Sequence, residues 1–210
     1  MKSVFFISLF VYCLSISAQE ADVTFQLNTK KRDLLIKPTM YGLFFEDINF
    51  GADGGLYAEL VKNRSFDFSQ HLMGWYTLGN VKVREDNSPF PNNPTYLQLS
   101  APNHRHKHTG IENEGFQGMG FKKDETYHFS VWAKKENSKD NQNLRIELIN
   151  ASNDIIATNE LIVDSDQWTQ YEVVMTPRMT EKKGRLRVFL TTHGSVCLDH
   201  VSFFPTDTWK

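Results

Sequence analysis

Glu46 and Asp47 stand side by side at the end of the apolar run Met40-Tyr41-Gly42-Leu43-Phe44-Phe45, and a turn-forming cluster, Gly51-Ala52-Asp53-Gly54-Gly55, follows them. Adjacent carboxylates in such a place can contact a polar substrate; the plainer alternative is a solvated strand end or an aspartate that starts a turn. Three histidines, His104, His106 and His108, recur at every second position of Asn103-His104-Arg105-His106-Lys107-His108. That spacing suits one face of a strand and raises zinc ligation. The interleaved Arg105 and Lys107 would repel a cation, and no carboxylate or cysteine lies at a matching spacing, so these histidines read as a solvated loop rim or the polar edge of a cleft.

Aromatic side chains form 13% of the chain, with 16 Phe. Trp75, Tyr76, Tyr96, Trp132 and Trp168 are candidate binding platforms, because the apolar face of a ligand packs on a flat ring while flanking polar groups bind its polar rim. Core packing competes for every one of these rings. Trp132 is set apart by its phase. Tyr127, Phe129 and Val131 alternate with His128, Ser130 and Trp132, so if the first set faces the core, Trp132 faces outward. Trp168, in Gln167-Trp168-Thr169-Gln170-Tyr171, is the contrasting ring: if it serves the core, its loss destabilises the domain.

The elements that must position these residues follow from periodicity. Leu144, Ile146 and Leu148 alternate with Arg145 and Glu147; Tyr171, Val173 and Met175 repeat the pattern, as do Leu186, Val188 and Leu190. Turn signals such as Asn137-Ser138-Lys139-Asp140 and Lys183-Gly184 separate the runs. A period of two with such punctuation predicts antiparallel strands with one buried face, and six or more of them predict a mostly β chain: a β-sandwich or jelly roll. Before Trp75 the pattern changes. Val23 to Leu27 suits a strand, Leu34 to Phe45 an extended run interrupted by Pro38, and Leu56 to Val61 a helix with Leu56 and Leu60 on one face. Strand, turn and helix in that order open a βα unit, whose strand needs a parallel neighbour.

At 210 residues the chain can bury a sizeable core in one domain or two small ones. A net charge of -2 offers no basic field, which argues against nucleic acid and anionic membrane surfaces as partners. The N-terminus carries Lys2, an apolar segment from Val4 to Leu14 and small residues ending at Ala18. This is the layout of a secretory signal peptide, too short for a comfortable membrane span, and it predicts a secreted or periplasmic protein. Removal of residues 1–18 takes Cys13 with it and leaves Cys197 as the only thiol, so the exported chain would have no internal disulfide.

The stretch Met40-Tyr41-Gly42-Leu43-Phe44-Phe45-Glu46-Asp47, continuing through Leu56-Tyr57-Ala58-Glu59-Leu60-Val61 to Asn63-Arg64-Ser65-Phe66-Asp67-Phe68, resembles the N-terminus of glycoside hydrolase family 51 α-L-arabinofuranosidases. Asp199-His200-Val201-Ser202-Phe203-Phe204 near the end reinforces the likeness. In longer members of that family a first barrel strand and helix precede an inserted module similar to family 4 carbohydrate-binding modules, and the chain then returns to finish a (β/α)8 barrel. With the signal peptide read at 1–18, the resemblance implies an N-terminal strand and first βα unit of an incomplete barrel at 19–64, a carbohydrate-binding-like sandwich at 65–205, and the start of a linker back to a catalytic domain at 206–210. Glu46, with Asp47 beside it, would then sit at the active-site face of the barrel and touch substrate. The acid/base and nucleophile that a retaining glycosidase needs would lie on later strands, beyond Lys210, so no catalytic residue is assigned here and the chain alone is expected to be inactive.

The resemblance also nominates a structural calcium. Asn63-Arg64-Ser65-Phe66-Asp67 and Leu198-Asp199-His200-Val201-Ser202 resemble the first and last segments of such modules, between which a calcium is often held by carboxylate and backbone oxygens. This carries over to Asp67 and Asp199 as metal ligands. The partners implied are arabinose-containing polysaccharides, arabinan or arabinoxylan, and a catalytic barrel, with Glu46, Asp47 and Trp132 as substrate-binding residues. Two rival readings use the same residues: a free-standing carbohydrate-binding or scaffold protein, and a sandwich that only packs against other domains.

Overall fold

The computed structural model describes residues 24–30, 35, 37–42, 52, 54–101 and 109–208. Glu46, Asp47, His104, His106, His108 and the proposed signal segment lie outside them. The chain divides into two compact units, residues 1–44 and 45–210. In the first, residues 24–28 form no strand, and the described residues contain one 3-10 turn, Pro38–Met40.

The second unit is built from strands. They are β1 (Trp75–Leu78), β2 (Asn80–Arg84), β3 (Tyr96–Ala101), β4 (Thr109–Asn113), β5 (Met119–Phe121), β6 (Tyr127–Glu136), β7 (Gln142–Ile149), β8 (Ile155–Val163), β9 (Thr169–Met175), β10 (Glu181–Leu190) and β11 (Gly194–Pro205). They form two antiparallel sheets. One runs β1-β4-β10-β7-β8, with β5 pairing β10; the other runs β2-β3-β11-β6-β9. Six strands lie in one sheet and five in the other, and their buried faces meet in one hydrophobic core, which makes the unit a sandwich.

The alternation in the sequence is the cause of that core. Tyr127, Phe129, Val131 and Ala133 of β6 are buried, while the residues between them are partly exposed. Leu144, Ile146 and Leu148 of β7 meet Leu186, Val188 and Leu190 of β10 in register, and all six are fully or almost fully buried. Phe121, Tyr127 and Phe203 gather at one end of the core, the last two stacked at 5.4 Å. Cys197 is a free thiol, buried in β11. Burial first, then the charge of Glu136, pushes it up to about 12, so it stays protonated and unreactive.

One irregularity sets the geometry of the site. Along β11, Val196 and Leu198 point into the core, and Val201 and Phe203 do so again, a gap of three that breaks the period of two. The register against β6 shifts between Asp199 and Ser202, and His200 adopts φ +46°. This is a β-bulge, and it turns both Asp199 and His200 to the outer face of the five-stranded sheet.

The helix expected over Leu56 to Val61 does not form. Tyr57 makes a single bridge, residues 58–60 are irregular, and turns follow from Val61. The cause is a set of long-range bonds that outcompete helical propensity. The Leu60 amide donates to the Phe203 carbonyl at 3.0 Å, and the Val201 amide to the Arg64 carbonyl at 2.9 Å. Fully buried Glu59 accepts the amides of Val61 and Phe203 through Oε1, each at 2.9 Å, and the Ser202 hydroxyl through Oε2 at 2.7 Å. Residues 57–64 therefore run beside the second half of β11, beyond where β3 stops pairing with it. The βα unit read from the sequence is thus not formed by the described residues.

Candidate functional site

The outer face of the five-stranded sheet carries a cleft of about 410 Å³. β6 contributes His128, Ser130 and Trp132, β9 contributes Gln170 and Glu172, and β11 contributes His200, Ser202 and Phe204. Register brings these into rows: Trp132 lies opposite Gln170 and Asp199, and Ser130 opposite Glu172 and Ser202. Tyr57 and Arg64 reach the same cleft from the segment bonded to β11. Strand parity explains the assembly, because every contributor on β6 and β9 is the out-of-phase partner of a core residue.

Two aromatic pairs bound this cleft. Phe90, from the loop between β2 and β3, meets Trp132 edge to face at 5.3 Å and His200 at 4.0 Å. Tyr57 meets Phe204 at 5.1 Å, also edge to face. Between them lie two hydroxyls, an amide, a carboxylate, two imidazoles and a guanidinium. A ring beside a dense set of donors and acceptors is what a sugar needs, an apolar patch on one face and hydroxyls around its rim. Glu172 is the carboxylate among the lining residues. The arrangement is equipped to hold a glycan.

Behind His200 lies a pair of acids. Asp67 Oδ1 accepts the Thr95 amide at 3.1 Å. Asp199, with no exposed surface, accepts the His200 amide at 2.6 Å through Oδ1, which also faces His200 Nδ1 at 3.0 Å. Among the described residues four buried side-chain polar atoms lack a hydrogen bond. Two of them have a charged neighbour at 3.0 Å: Arg185 Nε has Glu112, and His200 Nδ1 has Asp199. The other two are Asp67 Oδ2 and Asp199 Oδ2. Burial is the main cause raising the Asp199 carboxyl above its ordinary range, His200 opposes it, and the charge of Asp67 adds to it. No three His, Cys, Asp or Glu groups among the described residues cluster as a metal site, so a cation here would need further oxygens besides the two carboxylates.

The sequence-read rings divide as follows. Trp132 stands in the cleft, half-buried. Trp75 is core, with its indole N–H donating to the Asn63 carbonyl at 2.9 Å. Tyr76 is exposed on the other sheet, 57% accessible. Trp168 is not a core ring. It lies edge to face on Tyr96 at 5.2 Å, under Lys134 and bonded to the Asn87 carbonyl, on the outer side of the five-stranded sheet. Its parity matches Gln170 and Glu172 and opposes Tyr171, and that signal was present in the sequence. His200, Phe90, Arg64 and Tyr57 were not singled out as cleft residues, because the bulge and the long-range pairing that bring them there leave no local periodicity.

Comparison with known proteins gives a consistent pattern. The carbohydrate binding domain family matches residues 58–195. An extracellular exo-α-L-arabinofuranosidase of Streptomyces chartreusis is 33% identical over 198 residues, which cover 90% of this chain and 22% of that protein. α-L-Arabinofuranosidase 2 of Arabidopsis thaliana is 28% identical over 216 residues, 94% of this chain and 32% of that one. The chain thus spans about a fifth to a third of the length of such relatives. Among solved structures, arabinose-bound MgGH51 α-L-arabinofuranosidase superposes with a TM-score of 0.69 at 29% identity, covering 79% of this chain and 29% of that chain. The enzymatically active domain of bacteriophage CBA120 tailspike protein 4, at 14% identity and a TM-score of 0.54, shares the fold.

Proposed function

The chain belongs to the carbohydrate binding domain family, and we propose that its cleft holds arabinose-containing plant polysaccharides, arabinan or arabinoxylan, for an exported α-L-arabinofuranosidase of which this chain is the N-terminal portion. The observation that carries this reading is Trp132, set on the outer face of the sheet and flanked within one cleft by Ser130, Gln170, Glu172 and His200. Hydrolysis falls to a catalytic barrel outside this chain. The exposed Leu27, Leu35 and Leu56, each more than four-fifths accessible, support such a partner, since large apolar side chains so exposed suit contact with another domain. Glu46 and Asp47 are proposed as carboxylates that contact substrate in that barrel.

A structural calcium belongs to the same reading. Asp67 and Asp199 would hold it, and their unpartnered Oδ2 atoms suit a hard cation that takes oxygen ligands. Its chemistry there would be to neutralise two carboxylates, each of which has one buried oxygen without a donor.

The test is Trp132→Ala, followed by titration with arabinan and arabinoxylan. Affinity is expected to fall about 5- to 30-fold, corresponding to roughly 1–2 kcal/mol for an anchoring ring, with the melting temperature nearly unchanged. If the variant unfolds while binding per folded molecule is unaltered, Trp132 is a packing residue. If the wild type binds no arabinose polymer, the sandwich is a packing insert.

A further inference from the structure

The acid pair and the cleft share a residue. Asp199 contributes a buried, unpartnered oxygen to the first, and its other oxygen faces His200 Nδ1, whose ring lines the second. From there the contacts continue through parts with little freedom: His200 lies against Phe90 at 4.0 Å, and Phe90 against Trp132 at 5.3 Å. The bulge places Asp199 and His200 consecutively on one face, with His200 held at a positive φ that a β-carbon disfavours. Regular alternation would have sent one of the two into the core.

Without a cation, Asp67 and Asp199 present two buried carboxylate oxygens that lack donors. Such a pair is costly unless compensated, and it leaves the Asp199 side chain with reason to shift. Any movement of Asp199 is passed to His200 by their contact. We infer that calcium occupancy of the Asp67–Asp199 seat fixes the ring of His200 and, through Phe90, the position of Trp132, so that cation and glycan bind cooperatively. The functional half of this inference rests on the glycan reading of the cleft; the structural half does not.

The full chain is stripped with EDTA and titrated with calcium chloride while three quantities are followed: the melting temperature, the imidazole NMR resonances of His200, and the affinity for arabinan or arabinoxylan. Calcium is expected to raise the melting temperature and to shift the His200 resonances over the same concentration range. Glycan affinity is expected to tighten about fivefold or more, and the glycan to tighten calcium binding by the same factor. Asp67→Asn, at a residue outside the cleft lining, is expected to abolish all three responses. A calcium-induced rise in melting temperature with His200 and glycan affinity unmoved overturns the coupling and spares the seat. Absence of any calcium response overturns both. A His200 shift without glycan binding to any form upholds the structural link and discards the sugar reading.

Discussion

Phe203→Ala is expected to lower the unfolding free energy of the sandwich by about 3–5 kcal/mol, the usual loss for a buried aromatic truncated to alanine. Phe203 has no exposed surface and stacks on Tyr127 with the planes only 14° apart, while Phe121 meets its edge at 6.1 Å. Each of those rings is itself at least 98% buried, so the surroundings can close over the cavity only by moving other core residues. Against a total stability of about 5–15 kcal/mol the loss is large, and the melting temperature should fall by roughly 6–20 °C. A thermal melt checks it. A drop of a degree or two would show that this end of the core is loosely packed.

Glu59→Ala is the second change expected to have a large effect. It removes the acceptor of two backbone amides and a hydroxyl and uncovers no compensating group, at a cost of about 3–5 kcal/mol. Glu59→Gln keeps an acceptor oxygen and should cost far less, which separates shape from charge. The pair also carries a pH signature. Burial raises the Glu59 carboxyl above its ordinary value of 4.5, against the opposing bonds from Ser202, Phe203 and Val61. A carboxyl raised in the folded state takes up its proton more readily folded than unfolded. Its stabilising contribution is therefore complete below the unfolded value and is lost as pH rises through the folded one. The melting-temperature advantage of wild type over Glu59→Gln should accordingly widen as pH falls from neutrality towards 4.5. An advantage that narrows on acidification would mean that the three hydrogen bonds outweigh burial and hold the carboxylate charged.

The sandwich was legible in the sequence wherever a strand alternates strictly. Tyr127-Phe129-Val131 and Leu186-Val188-Leu190 named their own buried faces, and the phase of Trp132 against Tyr127 placed its ring outside. Residues governed by distant partners were not legible. Leu56 to Val61 has helical composition, and nothing nearby reveals that Glu59 will bond residues more than 140 positions away. The bulge at Asp199–Ser202 was equally hidden, because it shows only as a gap of three between Leu198 and Val201 in a strand where a period of two fits elsewhere. Phe90, flanked by Pro89 and Pro91 in a polar loop, reads as a turn, and only the folded chain sets it against Trp132. Half of the cleft thus follows from local alternation and half from contacts across the chain.

The pairing of residues 57–64 with β11 has a mechanical side. Arg64 bonds Val201 and Leu60 bonds Phe203, so the two segments run in opposite directions and their outer ends, Tyr57 and Pro205, emerge together. Tension applied to the polypeptide on both flanks would load these bonds one after another, as a zipper is opened, and not all at once as in a sheared ladder. Glu59, with its grip on Phe203 and Ser202, is the side-chain anchor that holds this seam closed. Under force the module should yield at this seam at low load while the strands behind it stay paired.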